Sequence, residues 1–168
     1  MLVAGTGPGA GHVVDALREK SAATHRQFEA LKRFLHPRAV FMHIGAGDCV
    51  LALQAASYVE RVYAIDPAEA VLHRRRLPVN LRAVFAGPGG FGVQAASVHV
   101  AYSESLLGGR LKDIARALVP GGAYVFRPAR AHTARTLRQA LLAAGFTAVR
   151  FPAFYAVFPR RELVAAIR

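Results

Sequence analysis

The stretch from Val40 to Asp66, VFMHIGAGDCVLALQAASYVERVYAID, constrains the fold more than any other part of the chain. Val40, Phe41, Met42 and Ile44 form an apolar run that reads as a buried strand. The run ends in Gly45-Ala46-Gly47, and a helical segment follows. A second apolar run, Val62 to Ile65, ends in an acid, Asp66. Strand, glycine turn, helix, strand and acid together describe one nucleotide-binding half of a doubly wound sheet. Glycines let the backbone approach a ligand closely, and the helix N-terminus offers unpaired N–H groups. A carboxylate at the end of the second strand can accept hydrogen bonds from both hydroxyls of a ribose. The pattern therefore predicts a cradle for an adenosine-containing cofactor.

The rest of the chain fits a single α/β domain. Its 168 residues are enough to bury a core, and 54% of them are hydrophobic, which excludes a disordered chain. No apolar run reaches the ~18 residues that span a bilayer. The start, MLVAGTGPGAG, lacks the charged and apolar regions of a signal peptide, so a cytoplasmic setting is expected. One cysteine, Cys49, rules out an internal disulfide and a multi-cysteine metal site. No His, Cys, Asp and Glu grouping has metal-ligand spacing, and no metal is expected.

The net charge is +12 and the pI is near 11.2. Almost all the positive charge is arginine; Lys20, Lys32 and Lys112 are the lysines. Such a surface attracts polyanions, so nucleic acid is a possible partner. The densest cluster, Arg74-Arg75-Arg76, is too short to act as a binding arm.

Residues 1–10 read as a flexible leader. Gly5-Thr6-Gly7-Pro8-Gly9 imitates a phosphate loop, but no strand precedes it. Residues 11–168 read as one domain, with 11–38 as an N-terminal helical cap. Val13, Leu17, Phe28, Leu31 and Leu35 give helical periodicity up to Pro37. Strands are predicted near 39–44, 61–65, 81–86, 97–102 and 123–127, and helices at 48–57, 67–76, 108–118 and 132–144. This alternation implies a mostly parallel sheet with helices on both faces. Pro120-Gly121-Gly122 reads as a turn into the fifth strand. Two closely spaced extended runs near the C-terminus, 147–153 and 162–167, leave no room for a crossover helix and imply an antiparallel hairpin or an excursion. GPGGFGVQAA, residues 87–96, is too glycine-rich for a helix.

These residues resemble the class I S-adenosylmethionine-dependent methyltransferases, from about Val40 to Arg168. HIGAGD (His43 to Asp48) is similar to the family's first motif. VYAID (Val62 to Asp66) is similar to its second strand with the ribose-binding acid. SVHVAYSESLL (Ser97 to Leu107) falls where the fourth strand and its lip lie. LKDIARALVPGGAYVF (Leu111 to Phe126) matches the following helix, turn and fifth strand, and AGF (Ala144 to Phe146) leads into the terminal hairpin. The resemblance implies a doubly wound, mostly parallel seven-stranded sheet. A dinucleotide-binding domain is the competitor, but Gly45-x-Gly47-x-x-Val50 lacks the third glycine of that fingerprint.

The resemblance also implies roles. Gly45, Ala46 and Gly47 would pass under the methionine part of S-adenosylmethionine, and Asp66 would hold the ribose, with helix capping as its alternative use. Pro67 and Ala68 would lie beside adenine, with Gly87 and Pro88 as the opposite wall. His43, Pro88 and His99 each stand where the family often carries an acid. Losing acids weakens attraction for a cationic cofactor, and His43 can serve instead as a neutral hydrogen-bond partner.

In-line transfer of an activated methyl group relies on alignment and needs no dedicated residue. Tyr102, Ser103, Glu104 and His132 are the candidates near the expected lip, and Tyr102 would also touch cofactor. The lip sequence Tyr102-Ser103-Glu104-Ser105 lacks the Asn/Asp-Pro-Pro-aromatic loop of base-amino methyltransferases. A small-molecule methyl acceptor is therefore expected, bounded by the N-terminal helices, the 87–96 loop and residues 153–161. Phe151, Phe154, Tyr155 and Phe158 read as an aromatic cluster packed in the hairpin. The rival expectations are a degenerate, non-catalytic partner subunit and a basic RNA- or DNA-binding or RNA-modifying protein.

Overall fold

A computed structural model describes residues 9–74, 76–129, 131–152 and 163–168, with side chains described for residue 19 and from residue 21 on, residue 74 excepted. Residues 1–8 of the expected leader lie outside the described residues. So do Arg75, Phe154, Tyr155, Phe158 and the rest of the 153–161 segment. The expected N-terminal cap is one continuous helix, α1 (Gly9–Lys32), which begins inside the stretch expected to be a leader.

The sheet follows as β1 (Val40–Gly47), β2 (Arg61–Pro67), β3 (Leu81–Val84), β4 (Val98–Ser103), β5 (Leu118–Phe126), β6 (Ala148–Arg150) and β7 (Val164–Ile167). Between them lie α2 (Val50–Ala56), α3 (Glu69–Arg74), α4 (Leu111–Ala117) and α5 (Ala134–Ala143). Strand order is β3-β2-β1-β4-β5-β7-β6. The first five strands pair in parallel, and β7 runs antiparallel between β5 and β6. This is the seven-stranded architecture expected from the sequence. Winding reverses between β1 and β4, so their carboxyl ends frame a crevice where open α/β sheets bind ligands.

The core divides by strand parity. Phe41, Val62, Val100 and Val125 face one layer, packed by Phe28 and Leu31 of α1, Leu51 and Ala55 of α2, and Val71 of α3. Met42, Ile65, Ala101 and Tyr124 face the other, against Leu111 and Ile114 of α4 and Leu137 and Leu141 of α5. Strands buried on both faces must be apolar throughout, which is why they read as continuous apolar runs. Between β3 and β4 the described chain forms a loop with a Gly87–Gly90 bridge, as its glycines predict.

Two local expectations are corrected. Pro120-Gly121-Gly122 does not separate a helix from a strand; it is a bulge inside β5. Val98 pairs with Leu118 and Val100 with Ala123, so the residues between Leu118 and Ala123 bow out of register. Gly121 has φ +79°, and the bulge is closed by Gly121 N–H donating to Arg168 O at 2.9 Å. Asp66 does not cap a helix. Pro67 pairs with Gly47 in the sheet, Ala68 N–H donates to Gly47 O at 2.7 Å, and α3 starts only at Glu69.

Candidate functional site

The glycine turn sits at the sheet's carboxyl edge. Gly45 has φ +73° and Gly47 φ +49°, conformations that disfavour any side chain. Ala46 between them is buried, which fixes the loop to the core. A β-carbon at Gly45 would meet no protein atom within 4 Å, so the space beside this backbone is open. Asp48 Oδ1 accepts from Val50 N–H at 3.2 Å and so braces the start of α2.

Two cavities open here. The smaller, about 350 Å³, lies under α1 and is walled by Thr24, Gln27, His43, Gly47, Asp48 and Leu51. The larger, about 500 Å³, is walled by Ile44, Asp66, Ala86, Phe91, Ser103 and Leu107. Gly45 and Glu104 line both, so the two form adjoining lobes of one groove. Asp48, Asp66 and Glu104 place three of the chain's ten acids around it, against Arg110 as the arginine of the lining.

Asp66 is exposed and has φ +51°, a left-handed conformation that aspartate tolerates better than most residues. Its Oδ1 accepts from Ala86 N–H at 2.9 Å, tying the ends of β2 and β3 together. Its Oδ2 has no hydrogen-bond partner among the described residues, so it can still accept from a ligand.

His43 forms the floor of the smaller lobe. It is 8% exposed, and its Nδ1 has no partner among the described residues. Burial holds its pKa down to about 4, against a weaker opposing pull from Asp48, so the ring is neutral at ordinary pH. Its ring is stacked with Phe41 at 6.3 Å and tilted against Tyr102 at 5.6 Å.

The predicted residues separate clearly. His43, Gly45, Ala46, Gly47, Asp66 and Glu104 come together at the groove. Tyr102, Pro67, Gly87, Pro88 and His132 line neither lobe. Tyr102 is fully buried, its hydroxyl accepts from Gln27 Nε2 of α1, and burial raises its pKa. Gly87 and Pro88 are exposed, and Ala86 and Phe91 provide the wall expected of them. His132 precedes α5, its N–H donating to Ala129 O at 3.0 Å.

His99 lies at the wrong end of the sheet to influence the groove. It is the second residue of β4, roughly 13 Å of extended chain from Ser103. Its Nδ1 accepts from Val40 N–H at 3.0 Å, and its ring meets His36 edge-on. An acid missing at 99 therefore removes no charge from the site.

Several supports of the groove carry no local sequence signal. Tyr124 hydroxyl is 2.6 Å from Ser103 Oγ and accepts from Leu107 N–H at 3.2 Å, pinning the lip that carries Glu104. Arg110 stacks on Phe91 with 4.6 Å to the ring centroid, donates to Gly87 O at 3.2 Å and pairs with Asp113 at 3.1 Å. These side chains hold the larger lobe's wall. The lip and wall contacts join segments well apart in the chain, so only tertiary pairing reveals them.

No protein-family model and no curated protein matches the chain. Solved structures do match its fold. Geranyl diphosphate methyltransferase in complex with SAM superposes with a TM-score of 0.68 at 14% identity, over 97% of this chain and 93% of that one. An S-adenosylmethionine-dependent methyltransferase from Mesorhizobium loti gives 0.62 at 20% identity, over 83% and 96%. A chain of the Haloferax volcanii complex between the Trm112 methyltransferase activator and a methyltransferase gives 0.64 at 15% identity, over 94% of each. The fold is that of the class I S-adenosylmethionine-dependent methyltransferases. No described helix is long and apolar enough to cross a membrane.

Proposed function

We infer that the groove binds S-adenosylmethionine and that the protein transfers its methyl group to a small molecule. One observation carries this reading: the two lobes meet at Gly45, with Asp66 on the larger side and the glycine turn on the smaller. The residues present suit the cofactor. The open space beside Gly45 leaves room for a chain passing over the backbone. The free Oδ2 of Asp66 suits a ribose hydroxyl, while Ala86 and Phe91 offer apolar wall to a flat base. Asp48 and Glu104 supply negative charge near a cationic ligand, offsetting the neutral His43 and the absence of an acid at Pro88.

When bound, the cofactor supplies a methyl group on a sulfonium, already activated for displacement. The protein's own work is then positional. Gly45 to Gly47 support the methionine end, Asp66 fixes the ribose, and α1 closes the smaller lobe through Thr24 and Gln27 against water. Alignment of an activated methyl group demands no covalent step from a side chain.

Calorimetry with S-adenosylmethionine tests the reading, with micromolar to submillimolar binding expected. Asp66→Ala should weaken that binding roughly tenfold or more, since a charge-assisted hydrogen bond is lost, while the circular dichroism spectrum is kept. Absence of heat at millimolar ligand would sink the proposal and leave a non-catalytic relative.

A further inference from the structure

The sheet ends at β3, which pairs with β2 on one side and with no described strand on the other. Val62 N–H donates to Asn80 O at 2.8 Å, and this bond sets the phase of the parallel ladder. Asn80, Arg82 and Val84 turn their peptide groups toward β2, so Leu81 C=O and the N–H and C=O of Ala83 point away from the sheet. Outward strand groups of this kind are a template for another chain.

The edge is held ready at both ends. Asn80 Nδ2 donates to Ala56 O at 2.8 Å and to Val59 O at 3.2 Å, which ties the start of β3 to the end of α2. Leu81 N–H closes a turn on Pro78 O at 2.9 Å, and Ala86 N–H meets Asp66 Oδ1 at 2.9 Å just beyond the strand. A strand fixed in this way loses little conformational freedom when a second strand joins it. Its flanks are apolar. Val79 and Phe85 are the most exposed large apolar side chains among the described residues, Val79 fully and Phe85 at 60%. They bracket the strand, roughly 20 Å apart along extended chain. Both gain burial when a strand is added beside them.

Charge selects the occupant. Arg82 is exposed in mid-strand, Arg76 is exposed just before it, and no acid occurs from Ala70 to Ser103. Two copies paired through β3 would set these arginines against each other, which disfavours a second copy. A nucleic acid would satisfy the arginines but offers no alternating donors and acceptors to the strand edge. We propose that the outer edge of β3 is a docking strand for an acidic, extended segment of a partner protein. The segment's backbone pairs with Leu81 and Ala83, its apolar side chains cover Val79 and Phe85, and a carboxylate reaches Arg82.

A capped hexapeptide alternating glutamate and valine is the probe. Its controls are the lysine–valine counterpart, the acidic peptide methylated at every backbone nitrogen, and a DNA duplex. Amide hydrogen exchange of the full chain is followed by NMR at physiological salt. The acidic peptide at millimolar concentration should slow exchange of the Ala83 amide about tenfold, and the three controls should not. Ala83→Pro removes the outward donor and should abolish the binding measured by calorimetry. Arg82→Glu changes only an exposed side chain, so it reports on the edge even where Ala83→Pro fails to fold. It should keep the circular dichroism spectrum, weaken the acidic peptide about tenfold and admit the lysine peptide. Absence of Ala83 protection by the acidic peptide, or equal protection by the methylated peptide or the duplex, overturns the proposal. A chain that sediments as a dimer with Ala83 already protected gives the edge to a second copy and overturns it too.

Discussion

At the scale of single residues, His43 combines properties that conflict in an ordinary core. It is polar and buried, and its Nδ1 has no hydrogen-bond partner among the described residues, yet it sits in a strand whose other inward residues are apolar. Its cost is titratable. The unfolded chain protonates His43 near 6.5, whereas the folded chain resists protonation down to about 4. The contribution to stability is therefore fully present above pH 6.5 and is lost as pH falls toward 4, by up to about 3 kcal/mol for a gap of about 2.5 pKa units. Below pH 4 this residue adds no further loss. Urea unfolding at pH 7 and pH 4.5 should show the decline in the native chain and a smaller one in His43→Gln. Equal declines in both would assign the pH dependence to other groups. Asp66 shows a related tension, since it holds a left-handed backbone that glycine would adopt more easily. Its carboxylate is what glycine cannot supply, because Oδ1 joins two strand ends and Oδ2 stays free.

At the scale of elements, β4 and β5 set the lip of the groove through their register. Ser103 pairs with Phe126, and Tyr124 reaches across to Ser103, Ser105 and Leu107. Burial pushes the Tyr124 hydroxyl up to about 12, so it remains a neutral donor and acceptor over the whole working range. Tyr124→Phe should cost about 1 to 2 kcal/mol of stability, since Ser103 Oγ and Leu107 N–H lose a buried partner. Hydrogen exchange at residues 104 to 107 should rise in this variant; unchanged exchange there would deny the hydroxyl its pinning role. At its other end β5 depends on Gly122. A β-carbon there would lie 2.9 Å from Val119 O, 3.1 Å from His99 O and 3.2 Å from Val98 O. Backbone oxygens cannot rotate away, so Gly122→Ala should destabilise by about 2 kcal/mol in denaturant unfolding. A neutral result would mean that the bulge relaxes freely. From sequence alone this Pro-Gly-Gly reads as a simple turn. Glycine marks a close approach or a positive φ, but nothing local says whether the strand ladder has already begun.

At the scale of the whole molecule, parity and order were legible, while contacts between distant segments were not. Apolar runs such as Phe41-Met42 and Val62 to Ile65 announce strands buried on two faces, and their alternation with helices implies the parallel order. The glycine turn and Asp66 were legible because both depend on a few neighbouring residues. The Gln27–Tyr102–His43 contact and the Arg110–Phe91 wall were hidden because they join α1 to β4 and the approach to α4 to a loop. Charge presents the same contrast of scales. The total of +12 suggests a polyanion partner, but its placement limits the affinity. Among the described residues, exposed arginines include Arg26 on α1, Arg61 on β2, Arg82 on β3, Arg116 on α4, Arg138 on α5 and Arg150 on β6. These elements lie on both faces and both edges of the sheet, whereas the groove collects acids. A duplex touching one side would meet only part of this described charge. Each neutralised phosphate contributes about −0.9 to the slope of log K against log salt, so a contact of about three predicts a slope near −3. Fluorescence anisotropy with a labelled duplex from 50 to 200 mM salt, on the order of the physiological range, measures it. Weak binding lost across that range fits scattered charge. A slope of about −6 or steeper would require one continuous basic face, and would revive a nucleic-acid acceptor in place of a small molecule.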